Sequence, residues 1–263
     1  MIEARDLWKS FGRKEVLKEV TLSVGKEVHA LVGPNGSGKS TLIKCILGLL
    51  KPNRGEVKLF NERPEVGRKR VGYVGEKLGL RESSALLVEL EVYCELKGCN
   101  WDEVKEVVDA WGLRPYLKER VRDLSTGTKQ RAAIARSLLG KPEALIWDEA
   151  LNGLDPEWRS YALDFMKEFS KRGPVLYSSH VLEELEEVAD KVTMIENGKV
   201  ILSGPLWELL YGDPVELFVL SPKGRIREVI RKDEIIDRLT RINDFSIIRI
   251  GKSLRKVYEE VRA

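Results

Sequence analysis

Glutamine is almost absent: Gln130 is the only one in 263 residues, while 33% of the chain is charged. Abundant lysine and glutamate with scarce glutamine is a heat-adapted bias, so a missing glutamine elsewhere can reflect composition rather than altered chemistry. Cysteine is sparse. Cys45, Cys94 and Cys99 are odd in number and lack the paired short spacings of a zinc site, which argues against a disulfide framework or a metal cluster; ordinary thiols are expected. No stretch approaches the roughly 18 uncharged apolar residues that span a bilayer, and the opening MIEARDLWKS lacks the apolar core of a secretory signal. The expectation is a cytosolic chain with no transmembrane segment of its own. One-sided charge is missing too: 45 basic residues against 42 acidic leave a formal +3, so no broad field draws nucleic acid or anionic lipid, and no direct nucleic-acid partner is expected.

What is present begins with length, enough for one large α/β domain plus an appendage. Ile2 to Leu7 and Val20 to Val24 read as short β-runs around a turn containing Gly12, and Glu27 to Val32 reads as a buried strand. That strand feeds GPNGSGKST, comprising Gly33, Pro34, Asn35, Gly36, Ser37, Gly38, Lys39, Ser40 and Thr41, and Thr41 to Leu50 continues as a helix. Strand, glycine-rich loop and helix are the context in which such a loop holds phosphates. The three glycines let successive amide N–H groups point at phosphate oxygens, and the helix start adds a favourable dipole. Lys39 is expected to reach the β and γ phosphates of a nucleotide, Ser40 to ligate Mg²⁺, and Thr41 to make a lesser contact.

A second strand-like run, Glu143 to Trp147, ends in Asp148 and Glu149. Carboxylates at the end of a buried strand are costly unless they hold a metal or do chemistry, and that edge of an open α/β sheet is where ligands sit. Asp148 is assigned to the coordination shell of Mg²⁺ and Glu149 to the general base that polarises the attacking water.

Residues 124 to 131, Leu-Ser-Thr-Gly-Thr-Lys-Gln-Arg, narrow the choice among nucleotide hydrolases. Ser125 is placed to cap a helix running to Leu139, and Gly127 permits close backbone approach, so this is a second anion-binding helix start. The segment resembles the signature of the ATP-binding cassette family of transporter subunits, most like exporter-type cassettes with separately encoded membrane subunits. That resemblance implies a P-loop core sheet of α/β class with an N-terminal antiparallel β subdomain, an inserted helical subdomain and a small C-terminal α+β extension. It also implies a head-to-tail pairing with a second, identical or different, cassette, in which Ser125 and Gly127 serve the nucleotide of the opposite subunit. Phe11, read alone a core or surface ring, matches the aromatic that stacks on adenine. Asp155, read alone a turn residue before Pro156, matches the loop that crosses to the partner site, and His180 matches the switch histidine at the γ phosphate. His29, inside the strand before the phosphate loop, is read as structural.

Three departures stand out. VGYVGE places Glu76 where the family has a catalytic and metal-contacting glutamine, and Thr126 and Thr128 replace a usual glycine and glutamine. The resemblance covers residues 1–210, with the helical subdomain at about 80–123: Ser84 to Lys97 reads as one helix, and Asn100 with Glu103 as a capping box for the next, up to Trp111. It implies an integral membrane transport subunit as partner and a peripheral, cytoplasmic location on the inner face of the membrane. A soluble cassette ATPase in iron–sulfur assembly or in nucleic-acid or ribosome work is the alternative. In residues 211–263, Val215 to Ser221 and Arg225 to Arg231 predict a hairpin around Pro222 to Gly224, and Leu254, Val257, Tyr258 and Val261 an amphipathic last helix. With 12 basic and 10 acidic residues from 205 onward, this nearly neutral tail reads as a packed regulatory or dimer-stabilising extension.

Overall fold

The computed structural model describes residues 1–212, 215–221, 224–231, 234 and 247–262. Two strands, β1 (Ile2–Phe11) and β2 (Lys14–Val24), form an antiparallel hairpin longer than the short runs expected. Next come β3 (Val28–Val32), α1 (Lys39–Ile46), β4 (Arg54–Leu59), the single turn α2 (Pro64–Gly67) and β5 (Val71–Val74). The helices α3 (Leu86–Lys97), α4 (Trp101–Ala110) and α5 (Thr126–Leu138) are followed by β6 (Ala144–Asp148), α6 (Pro156–Ser170), β7 (Val175–Ser178), α7 (Leu182–Val188), β8 (Lys191–Glu196), β9 (Lys199–Pro205) and α8 (Leu206–Tyr211). The tail holds β10 (Val215–Ser221), β11 (Gly224–Ile230), β12 (Ile247–Ile250) and α9 (Leu254–Arg262).

Three sheets result: β2-β1-β4, the central β5-β6-β7-β3-β8-β9, and β11-β10-β12 in the tail. The central sheet is parallel except for the β8–β9 hairpin. Every residue of β3 and β6 is buried, as a parallel strand covered on both faces requires. Alternation survives as a choice of core. Val28, Ala30, Val32, Leu145 and Trp147 face the helices α3 to α7, whereas Leu31, Ala144 and Ile146 face α1 and the N-terminal sheet. Trp111 anchors the helical side, stacked on Trp158 at 6.2 Å and edge-on to Trp147 at 6.4 Å between centroids.

Helix α1 stops at Ile46, short of the expected Leu50, and α3 begins two residues later than expected. Asn100 caps α4 by accepting from Glu103 N at 3.0 Å, but the expected box is one-sided: the Glu103 carboxylate instead accepts from Gly140 N. The reading of all three cysteines as thiols is corrected. α3 ends at Gly98 in a left-handed conformation, the chain doubles back so that Cys99 N donates to Cys94 O, and the two Cα atoms come 5.0 Å apart, bridged by a disulfide. Cys45 is a buried thiol. The tail hairpin forms with Val215 opposite Ile230; its turn residues Pro222 and Lys223 lie outside the described residues. Leu254 and Val257 of α9 are buried in the main core, whereas Val261, expected on the same face, is exposed.

Candidate functional site

The central sheet brings three loops to one edge, because Asp148 is level with Ser178 and Leu31 is level with Ser178 across neighbouring parallel strands. The loops after β3, β6 and β7 therefore open on the same crevice, where ligands bind in open α/β sheets. A cavity of about 790 Å³ lies there, lined by Asn35, Gly36, Gly38, Lys39, Ser40 and Thr41 from the phosphate loop with Glu76, Glu149 and His180.

Gly38 is the N-cap of α1 at φ 115°, with no side-chain cap, so the first amide donors of the helix are left for a ligand. Gly33, Pro34 and Ser37 stand behind the lining: Lys39 Nζ donates to Gly33 O at 2.7 Å and Pro34 O at 3.3 Å. Lys39 is only 6% exposed; burial pushes its ammonium below the ordinary lysine range, against the pull of Glu149, Asp148 and Glu76. Such a cation, held by carbonyls and facing three carboxylates, suits phosphate oxygens.

Glu149 sits in the left-handed region at φ 56°, a conformation unusual for glutamate and of the kind found at functional sites. Its N–H donates to Ser178 O and Ser178 Oγ, both at 3.1 Å, which holds the strained turn in place. Glu149 Oε2 lies 2.8 Å from His180 Nδ1 and accepts from Asn152 Nδ2 at 3.1 Å, while Oε1 accepts from no described group. Asp148 is buried beside them and accepts from Ser178 Oγ at 2.5 Å. The carboxylate expected to hold the metal, the expected base and the expected cation thus converge.

Others do not. Ser125 caps α5, accepting from Thr128 N at 3.1 Å, and Asp155 caps α6, accepting from Trp158 N at 3.0 Å, but neither they nor Gly127 line the cavity. The segments that carry them meet at Gly153: a Cβ on Gly127 would lie 2.9 Å from Gly153 O, and one on Gly153 2.9 Å from Thr126 Cγ2. Phe11 is 49% exposed and pairs across the first hairpin with Lys14, which lines the cavity mouth.

Sequence reasoning missed Asn152, Lys14, Val16, Lys18, Asn197 and Gly198, all in the cavity wall. Asn197-Gly198 joins β8 to β9 with φ 49° and 79°, and an Asn-Gly pair between strands is the recognisable signal of such a turn. Gly198 N donates to Ser37 O, and a Cβ there would meet Val16 O at 2.3 Å, so the turn clamps the phosphate loop to β2 only as glycine. His29 is structural as read, fully buried with Nε2 2.8 Å from Thr193 Oγ1.

The chain matches the family model described as ABC transporter over residues 17–152. It is 34% identical over 231 residues to the uncharacterized ABC transporter ATP-binding protein YxlF of Bacillus subtilis (strain 168), covering 86% of this chain and 78% of the relative. A solved structure of an ATP-binding subunit of an ABC transporter superposes with a TM-score of 0.79 at 27% identity, covering 100% of both chains. A dimeric, post-hydrolysis structure of the cassette MJ0796 with ADP and Pi shares the fold, with a TM-score of 0.72 at 23% identity over 78% of this chain and 99% of that one. With the phosphate loop, the paired carboxylates and the histidine gathered at one sheet edge, the chain belongs to the ABC transporter family and is one of its ATP-binding, ATP-hydrolysing cassettes.

Proposed function

We propose that this cassette hydrolyses Mg-ATP at a head-to-tail interface with a second cassette and so powers a separately encoded membrane subunit, lying peripherally on the cytoplasmic face. The observation that carries this reading is the division of the motifs. Lys39, Ser40, Glu76, Glu149 and His180 line one cavity, whereas Ser125, Gly127 and Asp155 form a separate surface with two capped helix starts and no role in that cavity. A second copy supplying the latter to the former completes both sites. No helix among the described residues is long and apolar enough to cross a membrane, in keeping with a membrane partner encoded elsewhere.

In this reading the phosphate loop and Lys39 bind the terminal phosphates, Phe11 stacks on adenine, and Glu149 Oε1 accepts a proton from the attacking water while His180 and Asn152 hold Oε2. Ser40, Asp148 and Glu76 would hold Mg²⁺. Their oxygens are the hard donors that ion takes, and the described residues carry no group of three or more His, Cys, Asp or Glu poised to cage a metal, as fits an ion that keeps waters and substrate phosphates as ligands. When bound, Mg²⁺ supplies charge neutralisation at the terminal phosphates. Residues 1–210 act as the motor and 211–263 as an extension, whose described Leu254 and Val257 pack in the motor's core.

Lys39→Ala tests the binding half: calorimetric ATP affinity should fall and ATPase vanish, and unchanged affinity with continued turnover would refute the loop assignment. Copurification of the native chain with an integral membrane protein tests the transport half; recovery with a soluble assembly instead would favour the alternative class.

A further inference from the structure

His180 depends on what holds the loop that carries it. Residues 179–181 are the whole connection between β7 and α7, and α7 has no side-chain cap from its N-cap residue, Val181. The loop is fixed instead by Glu184, in the first turn of α7 and only 8% exposed. Its Oε2 accepts from Tyr177 Oη at 2.9 Å and from Ser179 Oγ at 3.4 Å, and Ser179 Oγ in turn accepts from Val181 N at 3.0 Å. Its Oε1 pairs with Arg159 Nη1 at 3.0 Å. One buried carboxylate therefore holds residues three before, one before and, through Ser179, one after His180, and ties them to α6.

Arg159 is one turn beyond Asp155, the N-cap of α6, and its own N–H bonds back to Asp155 O at 2.9 Å. Its Nε is buried with no hydrogen-bond partner among the described residues, and Glu184 pairs with Nη1, so this carboxylate holds the guanidinium. Tyr177 remains a donor, because burial and then the charge of Glu184 push its phenol well above the ordinary tyrosine range.

We infer that Glu184 is a positioning residue for hydrolysis: it sets His180 against Glu149 and links the His180 loop to the helix capped by Asp155. The inference rests on the proposed role of His180. It concerns a residue that touches neither the cavity lining nor the reacting atoms.

The test is steady-state ATPase of the purified chain carrying Glu184→Gln, Tyr177→Phe, His180→Ala and the Glu184→Gln/His180→Ala pair. Glu184→Gln should lower kcat about tenfold or more with the KM for ATP within about twofold, since displacing a reacting group by about 1 Å costs up to about a hundredfold. Tyr177→Phe, which removes one donor to a carboxylate that keeps Arg159, should lower kcat several-fold with only a few degrees lost from the melting temperature, and it decides the matter if Glu184→Gln fails to fold. In the His180→Ala background Glu184→Gln should cost nothing more, because both act through one group. Wild-type kcat in Glu184→Gln, or an equal further loss in the His180→Ala background, overturns the inference. Full activity in His180→Ala alone would instead overturn the underlying reading of His180.

Discussion

Arg136 offers the sharpest stability prediction. Its side chain is largely buried, and it donates to the Glu89 carboxylate at 2.8 Å, to Leu78 O at 2.6 Å and to Gly79 O at 2.8 Å, with its guanidinium 5.1 Å from the Tyr93 ring centroid. Glu89 is 4% exposed, and its other oxygen accepts from Arg81, whose side chain is 52% exposed. Arg136→Met keeps the stem against Tyr93 but leaves a buried carboxylate with only a solvent-screened partner. Removing one member of a buried pair costs about 3–5 kcal/mol, and because Arg81 remains the low end applies, about 3 kcal/mol. For a protein of this size that lowers the melting temperature by about 6 to 12 °C. Glu89→Leu added to Arg136→Met removes the stranded charge, so the double variant should regain more than half of the loss. Scanning calorimetry of wild type, single and double variants checks this. A single variant melting within about 2 °C of wild type, or a double variant worse than the single, would refute the reasoning. The same contacts anchor Leu78 and Gly79 just after Glu76, so part of any lost ATPase should follow the lost anchor.

His29 should give the fold an acid-sensitive step. Burial holds its imidazole below the ordinary histidine range, with Glu27 pulling the other way, so the native state favours the neutral ring. The unfolded chain then binds the extra proton, and stability should be intact above about pH 6.5 and fall as pH drops through that value toward the lower native one. Urea midpoints between about pH 7 and 5.5 should show this slope, and His29→Asn should flatten it; an unchanged slope contradicts the assignment. For Glu76, compositional scarcity of glutamine predicts that Glu76→Gln leaves ATPase and its Mg²⁺ optimum nearly unchanged while Glu76→Ala lowers turnover, since the acceptor oxygen is kept in the first and lost in the second. A several-fold shift of that optimum in Glu76→Gln would show that the charge tunes the site.

The parts of the fold that could be read were those governed by local rules. The phosphate loop declares itself through glycine spacing between an apolar strand and a helix, and the caps at Asn100 and Ser125 through a polar side chain just ahead of each helix. The tail hairpin showed itself as two β-like runs on either side of Pro222 to Gly224. What escaped depends on distant partners. The Asn197-Gly198 turn announces a hairpin, but only the folded sheet places it on Ser37, roughly 160 residues earlier in the chain. Asn152 carries no motif of its own in the sequence, and its role follows from the left-handed turn at Glu149, which aims the two side chains at each other. Cys94 and Cys99 follow neither a zinc nor a redox spacing, and only the reversal at Gly98 brings them together.

The central claim, that the two halves of the ATP site lie on different copies of a cassette, is tested most directly by the mass of Glu149→Gln in solution, measured by size exclusion with light scattering with and without saturating Mg-ATP. That variant keeps Lys39, Ser40 and the helix start proposed to bind ATP but loses the proposed base that ends the bound state. The account predicts a monomer without nucleotide and a stable dimer with it. A monomer under both conditions, for a chain whose native complex also yields no second cassette, would contradict it.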